Sequence, residues 1–353
     1  MINRIIKLKH KLAELNTSAM LLTNPYNMYY FSGFSGEGAV LITESEQHIL
    51  TDSRYTEQAG RQAQGFHVVE CSSGDFTTAL AALSAGIGRI GFESDHMTCS
   101  QMEAIHKQIP QTQFISTEGI GKNIRAVKDR AELDFIKAAS KVTDLAFQKA
   151  LEFTEKGIRE YELAAQLEYY MAREHNASKA FDFIVASGMN GSMPHALVSS
   201  KDIVQGDFVT LDFGAKKDYY NSDMTRTYAI GVPDPKLNEI YQIVLEAQMA
   251  AQDELMPGKR CTDIDRTARD IITKAGYGEY FGHGLGHGVG LEIHELPVLN
   301  PRSQQILEPN MVVTVEPGIY IPGLGGVRIE NTCVITEDSY EALFDSTREL
   351  III

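Results

Sequence analysis

Four carboxylates stand in two matched settings along this chain. Val209-Thr210-Leu211-Asp212-Phe213-Gly214 aligns with Val313-Thr314-Val315-Glu316-Pro317-Gly318 at an offset of 104 residues. In each, an apolar strand-like run ends in an acid, followed by one residue and a glycine. Asp223 follows Asp212 by 11 residues and Glu330 follows Glu316 by 14, each within a second strand-like run. The repeat predicts a duplicated half-domain, two β-hairpins related by a pseudo-twofold axis. Side chains alternate faces along a strand. Thr210 and Asp212 therefore share a face, as do Asp223 and Thr225, Thr314 and Glu316, and Arg328 and Glu330. If the hairpins pack together, four carboxylates converge. In a dry pocket they cannot all stay ionised, because like charges raise one another's pKa values. Two divalent cations would neutralise them, with a neutral histidine completing the ligand shells.

The histidine is sought in Gly282-His283-Gly284-Leu285-Gly286-His287-Gly288-Val289-Gly290. H-x-x-x-H is a familiar zinc spacing on a helix, but five alternating glycines argue against a helix here. The segment reads as extended, with small residues that let backbone and substrate approach closely. It lacks the Gly-Lys-Ser/Thr ending of a phosphate loop, and His287 stands where G-x-G-x-x-G needs its third glycine.

These residues need a frame, and the apolar pattern supplies one. Residues 2–15 place Ile2, Ile5, Ile6, Leu8, Leu12 and Leu15 near helical spacing. Short apolar runs follow at Met20–Leu22, Ala39–Thr43, His48–Thr51, His67–Cys71 and Arg89–Phe92, with helical stretches around 76–84 and 100–108. That alternation predicts a smaller α/β domain. Beyond it, helices are expected over Ala131–Phe153, Glu160–Glu174, Leu237–Glu254 and Thr262–Lys274, the last with Thr262 and Asp265 at capping-box spacing. Strands are expected at Phe183–Ala186, Phe208–Phe213, Thr225–Ile230, Met311–Val315 and Val327–Ile335. The expected domains are 1–127 and 128–353, the second α+β.

Charge follows the same division. Of 47 acidic and 32 basic residues, residues 1–125 hold 12 and 10, and the remainder holds 35 and 22. The net of −15 argues against nucleic acid, whose phosphates need clustered Lys and Arg, and against an anionic membrane surface. Four scattered cysteines with no C-x-x-C pair exclude a zinc ribbon and suit a reducing compartment. No signal peptide or membrane span is read in the sequence, so a cytosolic protein is expected.

The chain resembles the proline peptidases of the pita-bread metallopeptidase fold, Xaa-Pro dipeptidase (prolidase) and aminopeptidase P. Leu211-Asp212-Phe213-Gly214, Ser222-Asp223-Met224-Thr225-Arg226-Thr227, His283-Gly284-Leu285-Gly286-His287, Val315-Glu316-Pro317-Gly318 and Val327-Arg328-Ile329-Glu330 match its signature blocks in order. The resemblance implies metal ligands at Asp212, Asp223, His287, Glu316 and Glu330. It implies a catalytic shell of His195, His283, His294 and Arg328, with Glu316 as proton shuttle. A plain ion pair with Glu330 is the simpler role for Arg328. More weakly, Ser32-Gly33-Phe34-Ser35-Gly36 and Thr51-Asp52-Ser53-Arg54-Tyr55 resemble the family's creatinase-like N-terminal domain. Arg54 is read at least as readily as a structural partner of Asp52 as a substrate contact.

The implied reaction is hydrolysis of the bond before proline, a tertiary amide without an N–H. The implied cofactors are two divalent ions. The oxygen-rich donor set favours Mn²⁺, with Co²⁺ or Zn²⁺ possible. The implied substrates are proline-containing di- or oligopeptides, and the implied assembly is a homodimer. A dipeptidase is preferred; aminopeptidase P is the alternative, and a non-enzymatic peptide binder a remote one. Methionine aminopeptidase lacks such an N-terminal domain, and creatinase-type enzymes lack the five ligands.

Overall fold

The five apolar runs of the first third pair into one sheet, with the unexpected Gln113–Ser116 as its sixth strand. In this computed structural model, which describes residues 2–72, 75–155 and 157–353, the chain divides into two compact units, Met1–Arg125 and Ala126–Ile353. In the first, Ala19–Leu22 lies mid-sheet, antiparallel to Ala39–Thr43 and parallel to Arg89–Phe92. All four of its residues are buried. The opening helix Ile2–Glu14 buries Leu8 and Leu12. Two short helices, Pro25–Ser32 and Thr56–Gln62, have no counterpart among the expected elements. The first starts where Asn24 accepts hydrogen bonds from Tyr26 N and Asn27 N, with Pro25 at the first turn. Its many apolar residues show no helical stripe, so periodicity passes over it. Arg54 binds Asp52 through Nε and Nη2 and reaches Glu37 at 2.9 Å, the structural pairing.

The second unit is built on four helices, Arg130–Glu155, Glu160–His175, Pro235–Asp253 and Cys261–Lys274. The first two pack with Phe147, Leu167, Val209, Leu211 and Phe213 in one core. The last two pack with Ile240, Val244, Ile264, Val313 and Val327 in another. Each core backs one hairpin. Phe208–Phe213 pairs antiparallel with Met224–Ala229, and Val312–Val315 with Asn331–Ile335. The hairpins meet through hydrogen bonds from Glu330 N to Thr225 O, Thr332 Oγ1 to Asp223 O and Thr227 Oγ1 to Arg328 O. Buried Arg226 donates to Glu330 O and to Asn331 Oδ1.

Three expectations are corrected. Thr262 and Asp265 form no capping box: the helix starts at Cys261, and Arg260 caps nothing with its side chain. Asp265 is buried, and Arg269 and Leu285 N supply its hydrogen bonds, which outweigh a solvent-exposed cap. The strand expected over Val327–Ile335 is two strands, Gly325–Arg328 and Asn331–Ile335, in different sheets. The chain breaks between them because Ile329 N turns to Pro317 O and Glu330 N crosses to Thr225 O. Asp223 and Glu330 accordingly stand just before their strands, not inside them.

Candidate metal centre and active site

The five expected ligands and the four shell residues line one pocket of about 390 Å³ in the second unit. Asp212 is at the end of its strand, opposite Thr225 and Ile184. Asp223 and Glu330 are buried where the hairpins cross. Glu316 follows Val312–Val315 and is tied by its N–H to Leu285 O. One carboxylate oxygen each from Asp212, Asp223 and Glu330 lies within 4.8 Å of the others.

His287 enters on Gly286–Gly288, an extended segment as expected. A Cβ at Gly286 would stand 2.0 Å from Thr314 O, so only glycine allows this approach. His287 Nδ1 lies 3.0 Å from Gly288 O, an acceptor, so Nδ1 carries the proton and Nε2 is bare. Nε2 stands 3.3 Å from Glu316 Oε1 and 3.5 Å from Asp223 Oδ2. This is no ion pair, because burial pushes the imidazole pKa down and keeps it neutral.

His287 therefore adds no positive charge to the cluster, where Arg328 pairs with Asp212. Burial first, then neighbouring carboxylates, holds Asp223 and Glu330 well above the usual range. Burial pushes Glu316 up to about 7. Asp212 Oδ1 and Glu330 Oε1 are buried and accept no hydrogen bond. Buried acceptors without donors are costly. Hard carboxylate oxygens around a bare imidazole nitrogen are a donor set that fits divalent cations.

Around this cluster runs a directed chain of hydrogen bonds. His283 Nδ1 donates to Gly284 O, so Nε2 accepts from the Tyr320 hydroxyl at 2.9 Å. Tyr320 in turn accepts from Arg328 Nη1 at 2.9 Å. Burial pushes the His283 pKa down to about 4, which fits an acceptor. Arg328 Nη2 binds Asp212 Oδ2 at 2.6 Å, and Nε reaches Thr225 Oγ1. The expected ion pair of Arg328 with Glu330 is therefore corrected: Glu330 Oε2 takes its bond from Thr225 Oγ1 at 2.7 Å. The His294 ring meets His287 edge-on at 4.4 Å, and Pro194 and His195 line the same pocket. Tyr320 is absent from the sequence-derived site, and Thr225 and Thr314 enter it only as residues sharing a face with Asp223 and Glu316. A tyrosine in an apolar strand reads as core, and its position four residues after Glu316 is the sole signal.

Residues 134–337 match the model of metallopeptidase family M24, and residues 4–127 match the creatinase/prolidase N-terminal domain. The chain belongs to metallopeptidase family M24. It is similar to a solved "Xaa-Pro dipeptidase from Bacillus anthracis", 44% identical, covering 100% of this chain and 99% of that one, with a TM-score of 0.96. The "Xaa-Pro dipeptidase" of Pyrococcus furiosus is 38% identical over 99% of each chain. A solved "X-Pro aminopeptidase from Thermotoga maritima" is 37% identical over 97% of this chain and 100% of that one, with a TM-score of 0.90. The M24 unit is thus a pita-bread metallopeptidase domain that follows a creatinase-type domain along the chain. The chain is a peptidase, and its family implies divalent metal binding. No described helix is long and apolar enough to cross a membrane.

Proposed function

We propose that this M24 peptidase hydrolyses the peptide bond before proline in Xaa-Pro dipeptides. We further propose that Asp212, Asp223, His287, Glu316 and Glu330 hold two divalent cations, with Mn²⁺ the working metal. The carrying observation is the cluster of buried carboxylates in which Asp212 Oδ1 and Glu330 Oε1 have no donor. When bound, the cations supply charge compensation, a water of lowered pKa and polarisation of the scissile carbonyl.

The chain's own residues do the rest. Glu316, with Oε1 steadied by Thr314, moves the proton from attacking water to leaving nitrogen. His195 and His294 donate to the substrate carbonyl as it becomes an oxyanion. His283, held neutral, lines the proline pocket with Tyr320 and the apolar Ile293 and Val298. Arg328 fixes Asp212 and Tyr320 together. The reading includes an accessory domain over 1–127, a homodimer and a cytosolic location; four free cysteines suit a reducing compartment.

One observation favours a second reading, aminopeptidase action on Xaa-Pro-Yaa. Arg328 is the Lys or Arg side chain lining the pocket among the described residues. Its nitrogens already serve Asp212, Tyr320, Thr225 and Pro194 O. A dipeptide's terminal carboxylate would then rely on neutral donors such as Asn300. Turnover of Xaa-Pro and Xaa-Pro-Yaa by one Mn²⁺-loaded preparation decides. Cleavage of Xaa-Pro that is lost on chelation is expected; cleavage of the tripeptide alone replaces the dipeptidase reading, and cleavage of neither removes both.

A further inference from the structure

The segment that carries His195 is held in an unusual way. Residues 187–199 pass through a short 3-10 turn, Gly188–Ser192, and then run without regular structure to Ser199. Their large apolar side chains point outward: Met189, Met193 and Leu197 are 65%, 50% and 85% exposed. Hydrophobic burial therefore does little to fix the segment. A single carboxylate does so instead. Glu160, the first residue of helix Glu160–His175, is fully buried. Its Oε1 accepts from Ser187 N and Oγ at 2.7 Å each, and from Asn190 Nδ2 at 3.0 Å. Its Oε2 accepts from Ser199 Oγ at 2.6 Å and Ser199 N at 3.2 Å, and shares Asn190 Nδ2 at 3.1 Å.

Ser187 and Ser199 are the two feet of the loop, and Asn190 lies between them. One rigid group thus fixes both ends and an interior point. At the far side, Arg328 Nη1 donates to Pro194 O at 3.3 Å, one residue before His195. Gly191 packs so closely on Gly326 that a Cβ at Gly326 would lie 2.2 Å from Gly191 O. The donors around Glu160 include two backbone amides, one on each oxygen, which cannot become acceptors. An acceptor-only carboxylate satisfies all of them; a carboxamide of the same shape would turn N–H against N–H.

We infer that Glu160 is a positioning residue for the peptidase reaction, acting through His195 by clamping both feet of the 187–199 loop. The inference rests on the function proposed above for its kinetic part, and its structural part stands apart from that reading. The experiment is a double-mutant cycle of Glu160→Gln and His195→Ala, scored by kcat/KM on an Xaa-Pro substrate with bound metal measured for each protein. Glu160→Gln is expected to lose about 10- to 100-fold with unchanged metal content, the range seen when an orienting partner is removed. In the His195→Ala background the same change should lose less than about threefold. Equal losses in both backgrounds would overturn the inference, because a general loosening of the fold does not depend on His195.

Hydrogen exchange on the metal-free protein supplies a readout free of activity. Glu160→Gln, and the milder Ser199→Ala should the first not fold, should speed exchange in residues 187–199 and leave Phe208–Phe213 protected. Unchanged exchange across 187–199 removes the clamp. If the wild type cleaves no Xaa-Pro peptide, the substrate reading fails while the exchange result still decides the clamp.

Discussion

The two halves of the catalytic unit use one plan with different parts. Each has a long helix, a second helix bearing a buried acid, a histidine segment and a hairpin with two acids. In the first half the buried acid is Glu160, which grips the His195 loop directly through serine and asparagine donors. In the second it is Asp265, which grips partly directly and partly through an intermediary. It accepts from Leu285 N and pairs with Arg269, whose other bonds go to Phe281 O and His283 O. The threonines correspond more closely. Thr225 accepts from Arg328 Nε and donates to Glu330 Oε2, while Thr314 accepts from His287 N and donates to Glu316 Oε1. The chain between the hairpin strands differs most. Ala215–Lys217 pairs with Tyr220–Asn221 and with Ser178–Lys179, none of which lines the pocket, whereas Gly318–Ile321 and Gly325–Arg328 bring Tyr320 and Arg328 into it. Duplication thus accounts for the carboxylates, and the difference between halves for the groups around them.

That equivalence is tested most severely by removing one acid from each half. Asp223→Ala and Glu330→Ala should each lower kcat/KM by about 10³-fold or more, roughly 4 kcal/mol of barrier. Melting of the metal-free proteins should show no loss of stability, since a like-charge neighbour has gone. Retained activity in either variant would break the four-acid reading.

Glu316 gives a pH signature of the second half. Its carboxyl is raised from 4.5 to about 7, mainly by burial. A raised folded pKa means that the native protein keeps the proton longer than the unfolded chain. The associated stability is full below pH 4.5 and is lost as pH rises through 7. Across that window wild-type metal-free protein should lose on the order of 3 kcal/mol relative to Glu316→Gln, measured by denaturant titration at pH 5 and 8. A flat difference removes the assigned shift.

Tyr320 has no counterpart in the first half. Tyr320→Phe takes out the hydroxyl between Arg328 and His283 and should lower kcat/KM by about 10- to 100-fold, while a melting curve shows an intact fold. The partly indirect clamp should matter less than the wholly direct one. Asp265→Asn leaves Arg269 its two carbonyl acceptors, so denaturant titration should show a cost of about 1–3 kcal/mol, with a smaller kinetic loss than Glu160→Gln. Smallest is the threonine pair. Thr225→Val and Thr314→Val should each weaken metal binding by roughly tenfold, and by matching amounts when affinities are titrated. A large inequality would sharpen the comparison by showing which half binds harder.

Much of this is legible in the sequence. The long helices follow from apolar spacing without Gly or Pro. The hairpins follow from apolar strands whose ends repeat at an offset of 104. The convergence of four acids follows from that repeat, while the proposed choice of His287 as fifth ligand follows from the resemblance to the proline peptidases. Other features were hidden because their partners lie far away in sequence. Asp265 stood at capping-box spacing, yet it bonds to Leu285 N, 20 residues on. Arg328 stood two residues from Glu330, yet it binds Asp212, 116 residues back. Glu160 opens the expected helix Glu160–Glu174, and only the fold brings Ser187 and Ser199 onto its carboxylate. The sequence by itself determined which atoms can bind metal, since that is a matter of residue type. Which partner each polar group takes was decided by the tertiary structure, since burial leaves a polar group to bond with whatever donor or acceptor the fold brings within about 3 Å.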